Sequence, residues 1–296
     1  MSLPKVGGQH SEVPVAYGGI TPFNACRGLG LITSGIITLT TDFGEGDPYV
    51  AMMKGVILCI NPAARIVDIT HQVPAGSIQE GGSIIRDAYK YFSDGTVHVG
   101  VIDPGVGGKR RPVVVLANNH FFVGPDNGLF WPVIEKQVNA DIIHLKEKRY
   151  WMNKISPTFH GRDIFAPVAA HLSLGLNPFV LGEKIDDPTT IAYPLPCKKD
   201  SDLVGEVIRV DHFGNLITNI TREHLTPLLK SKDVIIKIGS LVLDKISTTY
   251  SDVPDDEPLA LIGSSNLLEI AINMGRATNY LGKDCRIGTK VTVECH

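Results

Sequence analysis

The chain predicts an α/β fold class: a Rossmann-like N-terminal domain with a mostly parallel sheet, followed by a C-terminal antiparallel β-barrel or sandwich domain. Strand-like apolar runs at 36–41, 65–70 and 96–102 alternate with helix-period segments at 49–61 and 77–92. That is the pattern of parallel strands with helices packed on both faces. An aperiodic stretch, 175–202, then carries Pro178, Pro188, Pro194 and Pro196 and reads as a linker. Beyond it short strands recur at the spacing of a small barrel or sandwich. The expected layout is an extension at 1–35, an α/β domain at 36–176, a linker at 177–202 and a β domain at 203–296.

The first strand, 36–41, ends at Asp42, and Asp47-Pro48 sets a capping carboxylate before a proline at the first helical position. In the helix that follows, Val50, Met53, Val56, Ile57 and Ile60 recur at the spacing of one buried face. RIVDIT, 65–70, is the second strand. The second helix carries Gln79 and Glu80 in its first turn and directs Ile84, Ile85 and Ala88 inward. Val97, Val99, Val101 and Ile102 make the central strand, and Asp103 stands at its end, where open α/β sheets hold ligands. Pro104, Gly105, Gly107 and Gly108 break the chain before the next strand at 112–115, so 103–111 reads as a hairpin tip. A strand at 121–123, the turn Pro125-Asp126-Asn127-Gly128, a short helix at 129–136 and a strand at 141–145 follow. Residues 157–163 then open an amphipathic helix that runs to about Leu174, with Asp163 where a carboxylate suits the dipole. In the second domain the strands are 203–210, 216–220, 234–238, 241–246, 259–262 and 290–294, with short helices at 222–229 and 267–273.

Composition narrows the function. With 296 residues, 43% hydrophobic and 20% charged, the chain has ample material for a core. A net charge of -3 argues against a nucleic-acid partner or a polybasic membrane surface. The five cysteines, Cys26, Cys59, Cys197, Cys285 and Cys295, are scattered and never spaced as CxxC, which points to a reducing, cytoplasmic setting without structural zinc. The ten histidines include no HxxxH or HExxH pair, so no metal site is expected. No run of 18 apolar residues calls for a transmembrane helix. Residues 1–35 lack the basic and apolar regions of a secretory signal and read as a loose extension without chemistry.

The glycines do not make a dinucleotide fingerprint. A strand, not a helix, follows Gly105-Val106-Gly107-Gly108, and Gly44-x-Gly46 lacks the third glycine. Three groups can instead meet at one strand-end cleft: Asp42, Asp103 with Arg110, and His160. Histidine titrates near neutrality, arginine holds a water or hydroxide by charge, and aspartate orients either partner. Taken singly, His160 is more often a capping or core residue, Asp42 a solvated turn residue, and Lys109-Arg110-Arg111 a solvated tip. In the second domain Asp211-His212-Phe213-Gly214-Asn215 offers an aromatic face beside an amide, suited to a purine, although Phe213 equally suits a core. Gly263-Ser264-Ser265-Asn266 before Leu268-Glu269 offers hydroxyls and a carboxylate, suited to an amino-acid zwitterion or to capping a helix.

Together these segments resemble the S-adenosyl-L-methionine hydroxide adenosyltransferase family, relatives of the fluorinases and chlorinases. The matching stretches are ITLTTDFG, IVDITHQV, TVHVGVIDPGVG, PDNGL, TFHGRDIFAP, DHFGN and the glycine-serine run into LEIAINMG, in family order from Ile37 to the C-terminus. The resemblance implies a homotrimer with each site between one subunit's first domain and its neighbour's second. It places Asp103, Arg110 and His160 on the family's water-activating set and Asp42 on the ribose-diol carboxylate. Phe213 and Asn215 fall on adenine-contacting positions, and Asp211, Ser264, Ser265 and Glu269 align around the methionine portion. The implied reaction is in-line attack of water or hydroxide on the ribose C5′ of S-adenosyl-L-methionine, giving adenosine and L-methionine without a cofactor. A sulfonium leaves as a neutral thioether, so the difficulty lies in the nucleophile, free water having a pKa of about 15.7. General-base help is worth about 10²–10⁴-fold, and positioning must supply the rest. At this level His160 is open to two roles, taking the proton or ordering the water.

Two rival readings accompany this one. Halogenases replace the Asp, Arg and His set, and fluorinases carry a long insertion for which the link 117–122 leaves no room. A non-catalytic sensor of adenosine or S-adenosyl-L-methionine would not require water-handling residues at all.

Overall fold

Alternating apolar side chains build the first sheet. Ile37, Leu39, Val97, Val99 and Val101 lie in one apolar layer, and Ile102, Val113 and Val115 in the layer on the opposite face. The chain is seen in a computed structural model that describes residues 33–135, 137, 139–199, 202–228, 234–282 and 286–295. Nearly all of the expected extension, 1–32, lies outside the described residues.

The strands of the first sheet are β1 (Ile36–Thr41), β2 (Arg65–Thr70), β3 (Val97–Val101), β4 (Pro112–Ala117), β5 (His120–Pro125), β6 (Asp141–Leu145) and β7 (Gly182–Ile185). They are ordered β2-β1-β3-β5-β4-β6-β7. Pairs β1–β2, β1–β3 and β3–β5 are parallel, whereas β4–β5, β4–β6 and β6–β7 are antiparallel. The sheet is therefore mixed, not mostly parallel as expected. The cause is local: Asn118 and Asn119 both adopt positive φ, 51° and 62°, the two-residue turn that folds β4 back as β5. β5 inserts between β3 and β4, so residues 103–111 are not a hairpin tip. They pass over the end of β5 from one strand to a non-neighbour.

Helices α1 (Tyr49–Ile60), α2 (Ile78–Ala88), α3 (Trp131–Ile134) and α4 (Ala166–Ser173) cover the two faces. α1 and α4 pack together on one side, and α2 with α3 on the other. α1 buries Met53 and Ile57 but takes no carboxylate cap: Pro48 itself occupies the capping position, and no side chain bonds there. The helix expected over 157–174 is split into a five-residue π-helical turn, Gly161–Phe165, and α4. β1 has β2 on one side and β3 on the other, so the chain reverses its winding between β1 and β3. Ligands of open α/β sheets bind at such a switch point, outside the strands' carboxyl ends.

Of the expected linker, residues 182–193 are laid along the first domain rather than hanging free. β7 closes one edge of the first sheet, Thr189 N–H donates to Asp126 Oδ1 at 2.8 Å, and Arg111 grips both Asp126 and Asp187. A short strand, β8 (Cys197–Lys199), then leads into the second sheet.

The second domain contains β9 (Asp202–Val210), β10 (Leu216–Thr221), α5 (Arg222–Leu225), β11 (Val234–Ile238), β12 (Leu241–Leu243), β13 (Ile246–Ser247), β14 (Pro258–Ile262), β15 (Leu267–Ile272), α6 (Ala277–Leu281) and β16 (Lys290–Cys295). Its main path is β12-β11-β16-β9-β10-β15-β14-β13, antiparallel except at β13–β14. β12 also approaches β14, which curls the sheet towards a barrel. The helix expected at 267–273 is strand β15. All six of its residues are buried, Glu269 included, and apolar side chains on both faces leave periodicity little to separate strand from helix. Among the described residues no helix is long and apolar enough to cross a membrane.

Candidate active site

The crevice between β1 and β3 is where the chain's polar groups gather. Thr41 pairs with Val101, so Asp42 and Asp103 emerge side by side at the sheet's edge. Asp42 Oδ2 accepts the Gly76 N–H at 2.8 Å. Gly76 has φ +72° and lies against Pro104, so the turn that supports Asp42 also abuts the loop carrying Asp103.

Asp103 is locked to Arg110. Arg110 Nε lies 3.0 Å from both carboxylate oxygens, and its Nη2 forms an ion pair with Oδ2. The side chains are 4% and 9% exposed, Asp103 and Arg110 respectively, so the pair sits out of bulk water. The guanidinium lies 5.4 Å from the centre of the Phe165 ring, a cation–π distance. From the same Nη2, Arg110 donates to His160 Nδ1 at 2.8 Å. His160 heads the π-helical turn, a distortion that recurs at functional sites. Gly107 makes the approach possible. Its φ is +75°, and a Cβ there would stand 2.2 Å from the Pro157 carbonyl oxygen.

Burial holds the His160 pKa below its ordinary 6.5, and the Arg110 charge pushes it further down against Asp103 and Asp163. The neutral ring is what the geometry requires. Guanidinium can only donate, so Nδ1 carries the lone pair and the proton resides on Nε2. His160 thus keeps an N–H donor on Nε2. Asp163 stands in the first turn of the π-helical segment, as expected, and is buried there, held by Arg162 at 2.6 Å and the Ser156 N–H at 2.8 Å.

The second domain forms its own cleft of about 550 Å³, lined among others by His212, Phe213, Asn215, Tyr250, Asn273 and Arg276. Phe213 is 69% exposed, far from a core residue. Asp211 braces Asn215 by accepting its backbone N–H at 2.8 Å and its Nδ2 at 2.9 Å. Among the described residues no hydrogen bond uses Asn215 Oδ1, leaving an acceptor beside the aromatic face. Tyr250 donates its hydroxyl to Glu269 Oε2 at 3.2 Å, and burial raises the Glu269 pKa. Ser264 and Ser265 do not line this cleft. They line a separate groove of about 250 Å³ with Arg209 and residues at the end of α2.

The structure therefore assembles Asp42, Asp103, Arg110 and His160 at one place, and Asp211, Phe213, Asn215 and Glu269 at another. Among the described residues no hydrogen bond, ion pair or ring contact joins the two groups. Sequence reasoning missed Tyr250, Asn273 and Arg276, which enter the cleft only through the folding of β14, β15 and their flanking turns. Among the described residues no cluster of three or more His, Cys, Asp or Glu could hold a metal ion.

Comparison with known proteins fits this two-part arrangement. The SAM hydroxide adenosyltransferase N-terminal domain matches residues 37–182, and the corresponding C-terminal domain matches residues 205–292. The chain belongs to this family. An (R)-S-adenosyl-L-methionine hydrolase from Salinispora tropica is 36% identical over 249 residues, covering 83% of this chain and 93% of that protein. A fluorinase from Actinoplanes sp. is 28% identical over 275 residues, covering 80% and 91%. The crystal structure of an uncharacterized conserved protein from Thermotoga maritima superposes with a TM-score of 0.81 at 34% identity, over 88% of this chain and 100% of that one. As a member of the SAM hydroxide adenosyltransferase family, the chain carries the α/β domain and the barrel-like β domain in the family's order.

Proposed function

We propose that this chain hydrolyses S-adenosyl-L-methionine to adenosine and L-methionine by in-line attack of water at the ribose C5′. The observation that carries the reading is the Arg110–His160 contact beside Asp103, in a chain so similar to a named hydrolase. A water seated there accepts from the His160 Nε2–H and donates to Asp103 with the Arg110 charge alongside, which leaves one oxygen lone pair free to face carbon. His160 then orders the nucleophile rather than deprotonating it, because its only lone pair is occupied by Arg110. As the C–O bond forms, the S–C5′ bond breaks, the thioether leaves neutral, and the water's proton passes to Asp103 or to solvent. Fixed orientation of this kind replaces entropy that a bimolecular reaction would lose.

On this reading Asp42 binds the ribose hydroxyls, Phe213 stacks on adenine and Asn215 Oδ1 accepts from its amino group. Asp211 acts through Asn215, and Glu269 faces the methionine end, with Ser264 and Ser265 approaching it by way of the turn at Gly263, which packs against the Glu269 carboxylate. The relative's name specifies the (R) sulfonium epimer, and we extend that preference to this chain. The site is formed between subunits of a homotrimer: every residue lining the purine-sized cleft comes from the second domain. An apolar groove on α1, lined among others by Met52, Val56, Cys59 and Ile60 with Met152, supports self-association. We place the enzyme in the cytoplasm, in keeping with its scattered cysteines.

Incubation with (R)-S-adenosyl-L-methionine in ¹⁸O-water tests the reaction. Equal adenosine and methionine are expected, with label in the 5′-hydroxyl and no 5′-halogenated nucleoside in chloride or fluoride. Unlabelled adenosine would exclude attack at C5′, and tight binding without turnover would leave a sensor.

A further inference from the structure

We infer that His71, outside the water-handling set, is a positioning residue that sets the ribose-binding carboxylate Asp42. The inference rests on the ribose role proposed for Asp42. His71 is buried, 7% exposed, at the end of β2. Its Nδ1 lies 2.9 Å from Thr41 Oγ1, the hydroxyl immediately before Asp42. Its Nε2 lies 3.1 Å from Asp68 Oδ1, off the line of an aligned hydrogen bond. Asp68 is held in turn by Lys54 Nζ at 2.5 Å.

This ring ties together the two loops that flank Asp42. Thr41 Oγ1 also accepts the Phe43 N–H at 3.3 Å, so one hydroxyl spans Asp42 and meets His71. The His71 carbonyl accepts the Gly44 N–H at 2.7 Å, and the Thr41 carbonyl accepts the Val73 N–H at 3.4 Å. Beyond Val73 the same loop supplies the Gly76 N–H that Asp42 Oδ2 accepts. Asp42 is thereby fixed in backbone and side chain by a loop that starts at His71. A carboxylate meant to accept two vicinal hydroxyls needs that fixity, because a binding group displaced by an ångström loses most of its selectivity.

The test uses the full-length protein and two probes, adenosine and 2′,3′-dideoxyadenosine, which differ only in the groups Asp42 would bind. His71→Asn and Thr41→Val are measured beside Asp42→Ala by calorimetric titration, with thermal unfolding to certify folding. Both variants are expected to weaken adenosine binding about tenfold, to leave dideoxyadenosine binding unchanged, and to add nothing further in the Asp42→Ala background. If His71→Asn does not fold, Thr41→Val removes the same contact and decides the matter. Equal loss for both probes, or no loss, overturns the positioning role while Asp42→Ala still abolishes discrimination. Discrimination that survives in Asp42→Ala overturns the ribose assignment itself, and with it the role of His71.

Discussion

Arg110 Nη2 donates to His160 Nδ1 across 2.8 Å, and this one contact sets the protonation state of the histidine. A second proton on the ring would have to sit on Nδ1, the atom that Arg110 occupies. Turnover should therefore be flat through neutral pH and fall as pH drops through a His160 pKa below its ordinary 6.5. His160→Gln keeps a donor amide, cannot be protonated, and should lose this acidic limb while retaining more activity than His160→Ala. The alanine variant should lower kcat about 10²-fold with little change in KM. His160→Gln no more active than His160→Ala would restore the general-base role, and an acidic limb that persists in His160→Gln would belong to another group.

Gly107→Ala tests whether the loop geometry matters. The substitution forces an L residue to φ +75° and drives a Cβ to 2.2 Å from the Pro157 carbonyl, so Arg110 must retreat from His160. The strain alone is about 1–3 kcal/mol. Turnover should fall at least tenfold while adenosine affinity, held by Asp42 and the second domain, stays within a factor of about two. Gly105→Ala is the control, because its Cβ would meet Arg110 Cγ at an ordinary 3.6 Å. Equal kinetics for the two variants would remove the argument.

Much of this was legible because local signals agreed with the fold. The apolar periods of β1, α1, β2 and β3 and the glycine-broken stretch after Asp103 located the crevice and its polar groups. What sequence could not show was pairing. The Asn118-Asn119 turn put β5 between β3 and β4, which made the sheet mixed and stretched 103–111 across a strand end. Strand β15 was read as a helix because Leu267–Ile272 is apolar on both faces. Tyr250 and Arg276 carry no local mark of their place in the cleft. His71 stood inside a recognised stretch, IVDITHQV, yet its contacts to Thr41 and Asp68 exist only in three dimensions.

Acid should weaken the first domain through His98. Its Nδ1 lies 2.8 Å from Thr38 Oγ1, its Nε2 3.1 Å from His120 Nδ1, and its ring stacks on Phe122. Burial, then the neighbouring His120, pushes its pKa down to about 3. An unfolded chain binds this proton below about pH 6.5 and the native chain does not, so stability is full above that pH. Between pH 6.5 and about 3 it falls, by about 1.4 kcal/mol per pH unit for one such group. Urea unfolding at pH 7, 5.5 and 4 should show a steeper loss in the parent than in His98→Gln. Parallel curves would mean that His98 does not titrate in this range.

Phe213 should contribute to binding and not to folding. At 69% exposure it buries little in the free chain, so Phe213→Ala should leave the melting temperature within about a degree. Loss of stacking should weaken adenosine by about 1–3 kcal/mol, the range for bases on aromatic side chains. Calorimetric titration beside thermal unfolding separates the two effects. A large drop in melting temperature would make Phe213 a packing residue.

The shared site gives the most demanding prediction. Arg110 and His160 stand in the first domain, Phe213 and Asn215 in the second, and among the described residues no contact joins the pairs. If a neighbouring subunit completes each site, Arg110→Ala and Asn215→Ala, each inactive alone, should regain partial activity when co-expressed. In mixed trimers some interfaces pair the intact first domain of one subunit with the intact second domain of another. A site built within one chain would still carry one lesion in every subunit. Native mass spectrometry would establish that mixed trimers form, and turnover per trimer would be compared with each parent. Mixed trimers as inactive as their parents would return the site to a single chain, and Phe213 and Asn215 would have to reach Arg110 by a rotation of the second domain about the segment 177–202.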